Sequence, residues 1–505
     1  MTSIPIKPSL AEFRELATQG NLVPICTELI ADAETPVSAF QKIDDGDYCF
    51  LLESAEKSDQ AGRYSFVGSN PRITFESRGR KIRISENGQV REFETERDPL
   101  HELEALMGRY RFVASPAAGE SRFSGGAVGY LSYDMVRFFE PTIPPPPTDQ
   151  LGLPEMFFLI TETLLIFDHR SRRLRIVSNA FIEEGKVDEA YETACAAIKR
   201  IAMRLDVPSQ MPPLFVDLKA DPITPTCNTL PEEYVAMVRD GLEYIRAGDV
   251  FQFVPSQRFE TDYSGDPISL YRALRFVNPS PYMFCIKFGG RFALIGSSPE
   301  LQVRAMNGHV EIRPIAGTKR RGANETEDDA NAAALLSDPK ERAEHLMLID
   351  LARNDVGRVS NFGTVQVTEA FTIEKYSHVM HIVSNVIGEL RSDKTAYDVM
   401  RATFPAGTVS GSPKVRAMQV INSLEKSKRG VYAGAVGYFG FDGNHDSCIA
   451  LRTVVLKEGK AFVQAGAGVV ADSSPESEHQ ECVNKAMGMM AAIARAKAGI
   501  STGTP

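Results

Sequence analysis

A chain of 505 residues exceeds what one hydrophobic core usually spans, so two large, closely associated lobes are expected, and 43% hydrophobic with 24% charged content fits a soluble globular protein. A net charge of −10 without any long Lys/Arg run excludes a nucleic-acid binder, although a small anion held by a few convergent Arg and Lys side chains stays open. Seven scattered cysteines without a Cys-x-x-Cys pair form no zinc or disulfide framework, and the absence of a signal-like start or a membrane-length apolar run sets a cytoplasmic expectation with no membrane partner.

In chain order, Asp47 to Glu53 is a short apolar run, Arg63 to Gly68 alternates, and Lys81-Ile82-Arg83-Ile84 is a further alternating strand. Five prolines between residues 141 and 147 demand an extended connection, and residues 156–168 then read as an apolar strand pair. Residues 186–205 have helical spacing. A Pro-rich stretch follows, so the expected organisation is an N-terminal lobe (1–210), a linker (211–230), a second domain (231–497) and a disordered tail (498–505). Pro231-Glu232-Glu233 predicts a helix through Arg246, and Gly248-Asp249 a turn into a strand over residues 250–255.

The second domain concentrates chemistry. Glu341 and Glu344, then Glu478 and Glu481, are carboxylates three apart at the start of helical segments, so each pair shares one helix face. Two such helices brought together would offer four hard oxygen donors to one cation; taken singly, each is an ordinary acidic helix start. Ser297-Ser298-Pro299-Glu300 sets a carboxylate beyond a turn, and Pro314-Ile315-Ala316-Gly317-Thr318 puts a permissive glycine beside a hydroxyl. His378 and His381 share a segment, Pro405 to Gly411 is a second Gly/Thr loop, and Gln464 to Val469 is a third glycine-rich one. Arg452 by itself reads as a sheet-edge charge in a strand over residues 448–454.

These segments, with Gly248-Asp249-Val250-Phe251-Gln252, Asn278-Pro279-Ser280-Pro281-Tyr282-Met283, residues 344–355 and residues 466–473, resemble in order and spacing the chorismate-utilising enzymes. The likeness is strongest to the branch that makes anthranilate, and it covers nearly the whole chain. It implies an α+β (mixed α/β) fold of two intertwined lobes, with facing antiparallel sheets in a sandwich-like core and helices outside.

The resemblance also implies roles. Glu341, Glu344, Glu478 and Glu481 match the positions that bind Mg2+, completed by the ring carboxylate of chorismate. Lys485 lies on the same face as the second pair, where it is a catalytic candidate or a plain i,i+4 partner of Glu481. Tyr432 and Arg452 match the holders of the enolpyruvyl carboxylate, with backbone N–H groups around Gly466, Ala467 and Gly468; Gly317, Thr318, Gly407 and Thr408 flank the ring. Glu300 matches the acid acting at C4, and His381 the residue of the elimination half, whereas His378 reads as structural. The implied reaction is a lyase reaction: ammonia adds at C2, the C4 hydroxyl leaves, and pyruvate is eliminated to give anthranilate, the first committed step toward tryptophan. Gln252 stands where water-adding relatives carry a lysine base, and Ala316 where 4-aminating relatives often carry a lysine nucleophile, so both select direct amination.

No cysteine here has a Gly-x-Cys-x-Gly setting, so ammonia is expected from a separate glutamine amidotransferase subunit. Leu52, Glu53 and Ser54 match one half of a tryptophan-inhibition site, Asn278, Pro279, Ser280, Pro281, Tyr282 and Met283 the other, and Val436, Gly437 and Tyr438 a further wall. The chain has no Trp, so bound L-tryptophan would be visible by its own emission. The rival within the class is an aminodeoxychorismate or aminodeoxyisochorismate synthase. The rival outside it is an inactive tryptophan-binding regulatory subunit, which would not need the filled metal, acid and carboxylate positions.

Overall fold

The computed structural model describes residues 4–54, 62–115, 121–146, 148–215, 219–376 and 379–501. Among the described residues two large sheets make the core, one of eleven strands and one of twelve. Each draws strands from both halves of the sequence. In the first sheet Tyr48–Glu53 pairs antiparallel with Tyr282–Phe288, setting Glu53 opposite Met283. In the second, Gly126–Leu131 pairs antiparallel with Ala435–Gly440, where Gly129 faces Gly437. A Cβ on Gly437 would come within 2.1 Å of the Asp446 carbonyl, so only glycine allows this approach.

The sheets face one another across a buried layer that includes Phe50, Phe66 and Phe284 from the first sheet and Tyr130, Phe157 and Tyr438 from the second. Burying each such ring stabilises by roughly 1.5–3 kcal/mol. Helices cover both outer faces: Pro231–Arg246, Pro267–Val277 and Pro475–Ser501 pack on the first sheet, and Pro339–Gly357 with Ala396–Thr403 on the second. The layer order is therefore helix, sheet, sheet, helix, and the α+β sandwich of intertwined halves expected from the sequence is the observed fold. Among the described residues no helix is long and apolar enough to cross a membrane.

Several strands end by crossing from one sheet to the other. Residues 156–168 are two strands, Met156–Thr161 and Thr163–Asp168, but they belong to different sheets with Glu162 at the crossing, so they do not pair with each other. Phe292–Ser298 crosses through Pro299 and Glu300 to Leu301–Met306 in the second sheet. His445–Ile449 crosses back through residues 450–452 to Thr453–Lys457. These last two crossings are bonded together: Ser297 N–H donates to the Arg452 carbonyl (3.1 Å) and Ile449 N–H to the Glu300 carbonyl (3.0 Å). Arg452 is thus not within a strand as expected. It occupies a left-handed turn with φ 46°, between the strands His445–Ile449 and Thr453–Lys457.

Two other local expectations change. Pro314 to Thr318 is a turn in the sequence reading, whereas Ile315–Arg320 is a strand with a bulge at Gly317, whose φ of 66° suits glycine. The Gly/Thr loop after Pro405 contains the short helix Gly407–Ser410. The strand expected over residues 250–255 is reduced to Gln252–Phe253, and His378 lies outside the described residues.

Candidate active site

The two bonded crossings set Glu300 beside the turn that carries Arg452. The Glu300 carboxyl is buried, and Thr408 Oγ1 donates to its Oε1 at 2.8 Å. Burial pushes its pKa up to about 8, against the opposing pull of Thr408, Lys485 and Arg452. At neutral pH this is a protonated acid with one oxygen already satisfied.

His381 sits on the strand Val379–Glu389, opposite Thr318. Its Nδ1 lies 2.9 Å from the Gly317 carbonyl and 3.1 Å from Thr318 Oγ1. A carbonyl only accepts, so Nδ1 carries the hydrogen and Nε2 is left as the free base. Burial holds the imidazole neutral by lowering its pKa. The ring of Tyr376 packs edge-on at 5.4 Å.

Arg452 is largely removed from water, which lowers its pKa, and its Nη1 donates to Asn278 Oδ1 at 3.3 Å. Tyr432 is buried and points at Gly466, where a Cβ would lie 2.8 Å from the phenol oxygen. Gly466 ends the strand Lys460–Gly466, and its carbonyl accepts from Lys485 Nζ at 3.1 Å. Ala467 N–H is committed to the Pro255 carbonyl at 3.3 Å. Gly468 faces the amide of Gln252, whose Nε2 would meet a Cβ there at 2.9 Å. Gln252 Nε2 donates to Glu344 Oε1 at 3.0 Å, which leaves its buried Oε1 without a protein partner.

The starts of the two acidic helices lie within electrostatic reach of one another at this end of the sandwich. Asp338 caps the first, accepting from the N–H groups of Lys340 (2.9 Å) and Glu341 (3.3 Å), with Pro339 at the first helical position. Burial and the nearby charges of Glu344, Asp338 and Glu481 raise the Glu341 pKa. Burial and Glu481 likewise raise that of Glu478, opposed by Ser473 and Lys485. Lys485 pairs with Glu481 at 2.8 Å as the i,i+4 partner, while its Nζ also donates to the Gly466 carbonyl. Among the described residues no three acidic, His or Cys side chains converge into a ligand set. The donor chemistry nonetheless suits a hard cation such as Mg2+, which takes few protein carboxylates and keeps waters or substrate oxygens.

The predicted regulatory residues gather elsewhere, around a cavity of about 610 Å³ between the sheets. Leu52, Glu53, Ser54, Pro279, Pro281, Tyr282, Met283, Val436, Gly437 and Tyr438 all line it. Glu53 Oε1 is ion-paired there with Arg275 Nε at 2.5 Å, and among the described residues the buried Ser54 Oγ has no hydrogen-bond partner. Ser280 and Asn278 are absent from the lining: Ser280 is buried, and Asn278 serves Arg452. Sequence reasoning missed Arg304 and Asp446, which clamp the Tyr282 hydroxyl (3.0 and 2.9 Å), and Tyr376, which lines the cavity and touches His381. The available signal for the first two was one charged residue in each of the strands Leu301–Met306 and His445–Ile449.

Residues 47–491 match the model of a family described as chorismate binding enzyme. The chain is 47% identical over 494 residues to anthranilate synthase component 1 of Acetivibrio thermocellus, covering 97% of this chain and 99% of that one. It is 46% identical to the protein of the same name from Aquifex aeolicus, covering 96% and 97%. A crystal structure of anthranilate synthase component I from Streptococcus pneumoniae superposes with a TM-score of 0.72 at 38% identity, covering 92% of this chain and 99% of that one. The menaquinone-specific isochorismate synthase of Escherichia coli shares the fold, with a TM-score of 0.69 at 17% identity over 96% of this chain and 98% of that one. With its sandwich, its paired crossings and this match along nearly its full length, the chain belongs to the chorismate-binding enzymes.

Proposed function

We propose that this chain is the large component of an anthranilate synthase, converting chorismate and ammonia to anthranilate, pyruvate and water. The observation that carries the reading is Glu300: a buried carboxyl, protonated near neutral pH, with Thr408 on one oxygen and Arg452 and Lys485 nearby. Hydroxide is a poor leaving group, so departure of the C4 oxygen needs such an acid. Arg452 and Tyr432 hold the enolpyruvyl carboxylate. Ammonia attacks C2 as Glu300 gives its proton to the C4 oxygen, which leaves as water; the new ammonium group releases a proton in return. His381 Nε2 then takes the C2 hydrogen, the enolpyruvyl C–O bond breaks, and pyruvate leaves as the ring aromatises.

Glu341, Glu344, Glu478 and Glu481 would hold Mg2+, which supplies positive charge to balance the ring carboxylate. Gln252 is no base, and its amide is tied to Glu344, which supports amination over water addition. Ala316 offers no nucleophile to C4. Ammonia comes from a separate glutamine amidotransferase chain, and L-tryptophan inhibits from the 610 Å³ cavity, whose size suits an indole and whose Glu53 suits an ammonium.

Mixing the chain with chorismate, Mg2+ and ammonium should produce the fluorescence of anthranilate. Glutamine without a partner should not; turnover on glutamine alone would remove the separate-subunit assignment. No product with tryptophan binding intact would favour the regulatory-subunit reading, and an aminated but non-aromatic product would favour the other synthases.

A further inference from the structure

Arg429 and Glu425 form an ion pair with side-chain exposures of only 2% and 8%. Desolvating two charges costs several kcal/mol each, and such pairs are often replaceable by apolar side chains, so attraction between them does not explain their presence. Their other contacts do. The guanidinium donates to both Glu425 oxygens, at 2.9 and 2.6 Å, while Nη1 reaches the Val409 carbonyl (3.0 Å) and Nη2 the Val254 carbonyl (2.5 Å). Its carbon lies 4.5 Å from the ring of Tyr133 and 5.7 Å from that of Tyr432. Glu425 Oε1 also accepts from Ser256 N–H (2.8 Å) and Ser256 Oγ (2.9 Å).

Apart from the Tyr133 ring, those contacts end on or close to groups of the candidate site. Val409 follows Thr408, which holds Glu300. Val254 is two residues from Gln252, Ser256 pairs with Gly466, and the Tyr432 phenol points at Gly466. These segments come from distant parts of the chain, and one planar fork with one carboxylate ties them together.

From this geometry we infer that Arg429 and Glu425 are the positioning residues of the site, fixing Thr408, Gln252, Tyr432 and Gly466 relative to one another without touching substrate. The inference rests on the functional reading above. The Val409 and Val254 bonds sit one and two residues from Thr408 and Gln252, Ser256 lies across the strand pair from Gly466, and Tyr432 is touched directly, so loosening the fork displaces several groups together, and misplacement by about 1 Å can cost about 100-fold in rate.

Arg429→Lys keeps the charge opposite Glu425 but cannot serve two carbonyls and both carboxylate oxygens at once. The expected variant is folded, with a raised chorismate KM and a kcat/KM with ammonium lowered about 100-fold. Its alkaline rate limb should also move to higher pH, because a displaced Thr408 no longer favours the ionised form of Glu300, while Lys485 and Arg452 still face it. A lower Tm and a smaller active fraction, with KM and limb unmoved, would overturn the inference by showing a purely structural pair. Should Arg429→Lys fail to fold, the isosteric Glu425→Gln is read the same way, and an unmoved KM and limb again overturn it. Absence of product from the wild-type chain would instead overturn the functional reading, so the two failures are distinct.

Discussion

Glu300 holds its proton through a range in which ordinary carboxyls have lost theirs, and both the acid role proposed for it and its cost to the fold follow from that. Glu300→Gln retains the shape and an acceptor for Thr408 but cannot give up a proton. Its kcat should fall about 100- to 10,000-fold while chorismate still binds, measured by steady-state turnover and ligand titration. In the wild type kcat/KM should decline as pH rises through about 8, where the acid ionises. The same shift acts on stability. The folded pKa, about 8, lies above the ordinary 4.5, so the unfolded chain binds fewer protons between these values and folding loses free energy as pH rises across that window. Glu300→Gln should therefore raise Tm above pH 8 and leave it nearly unchanged below pH 4.5. The family pattern made Glu300 and Thr408 legible as separate positions. Their mutual hydrogen bond was not legible, because the residues stand 108 apart and meet only through the crossing at Pro299. Arg452 was misjudged for a similar reason: periodicity does not reveal that a strand-like run breaks at a left-handed residue.

The acidic helices and the bulged strand beside them act as units. If the four glutamates hold Mg2+, Glu344→Gln or Glu481→Gln should lower activity and weaken its Mg2+ dependence while tryptophan still binds, as read by titrating the ion in the anthranilate assay. Gly317→Ala addresses the strand. At φ 66° a side chain costs about 1–2 kcal/mol, and the added Cβ would lie 2.8 Å from Glu341 Oε2. A lower Tm together with a changed Mg2+ dependence is expected; a lower Tm alone would mean that Glu341 moves aside freely. Helix starts were readable because their chemistry is local: Asp338-Pro339 and Ser474-Pro475 bear their signals at the site of action. The bulge and the short helix Gly407–Ser410 were not, since glycine followed by threonine fits a turn, a bulge or a helix start, and only pairing with Val379–Glu389 decides the first.

At the scale of the molecule, the halves on either side of residues 211–230 complete each other's sheets, as at Tyr48–Glu53 with Tyr282–Phe288. Fragments 1–210 and 231–505 made separately should lack cooperative unfolding, whereas a chain cut once within 211–230 should remain associated and active, as judged by size-exclusion chromatography and the anthranilate assay. The Pro-rich composition that marked a boundary coincides with a stretch whose described residues carry only the two-residue strand Thr226–Cys227; it carries no information about which strands pair across it. Ser54→Phe, filling the cavity between the sheets, should relieve inhibition by tryptophan and leave ammonia-dependent turnover intact. Tyr376 lines that cavity, and its ring also packs edge-on against His381. If tryptophan occupies this cavity and chorismate the candidate site, as proposed, both ligands bear on this one residue and their equilibria are coupled through it. Whatever factor tryptophan imposes on chorismate binding, chorismate must impose on tryptophan, so a titration of indole emission at rising chorismate would measure the inhibition without any turnover.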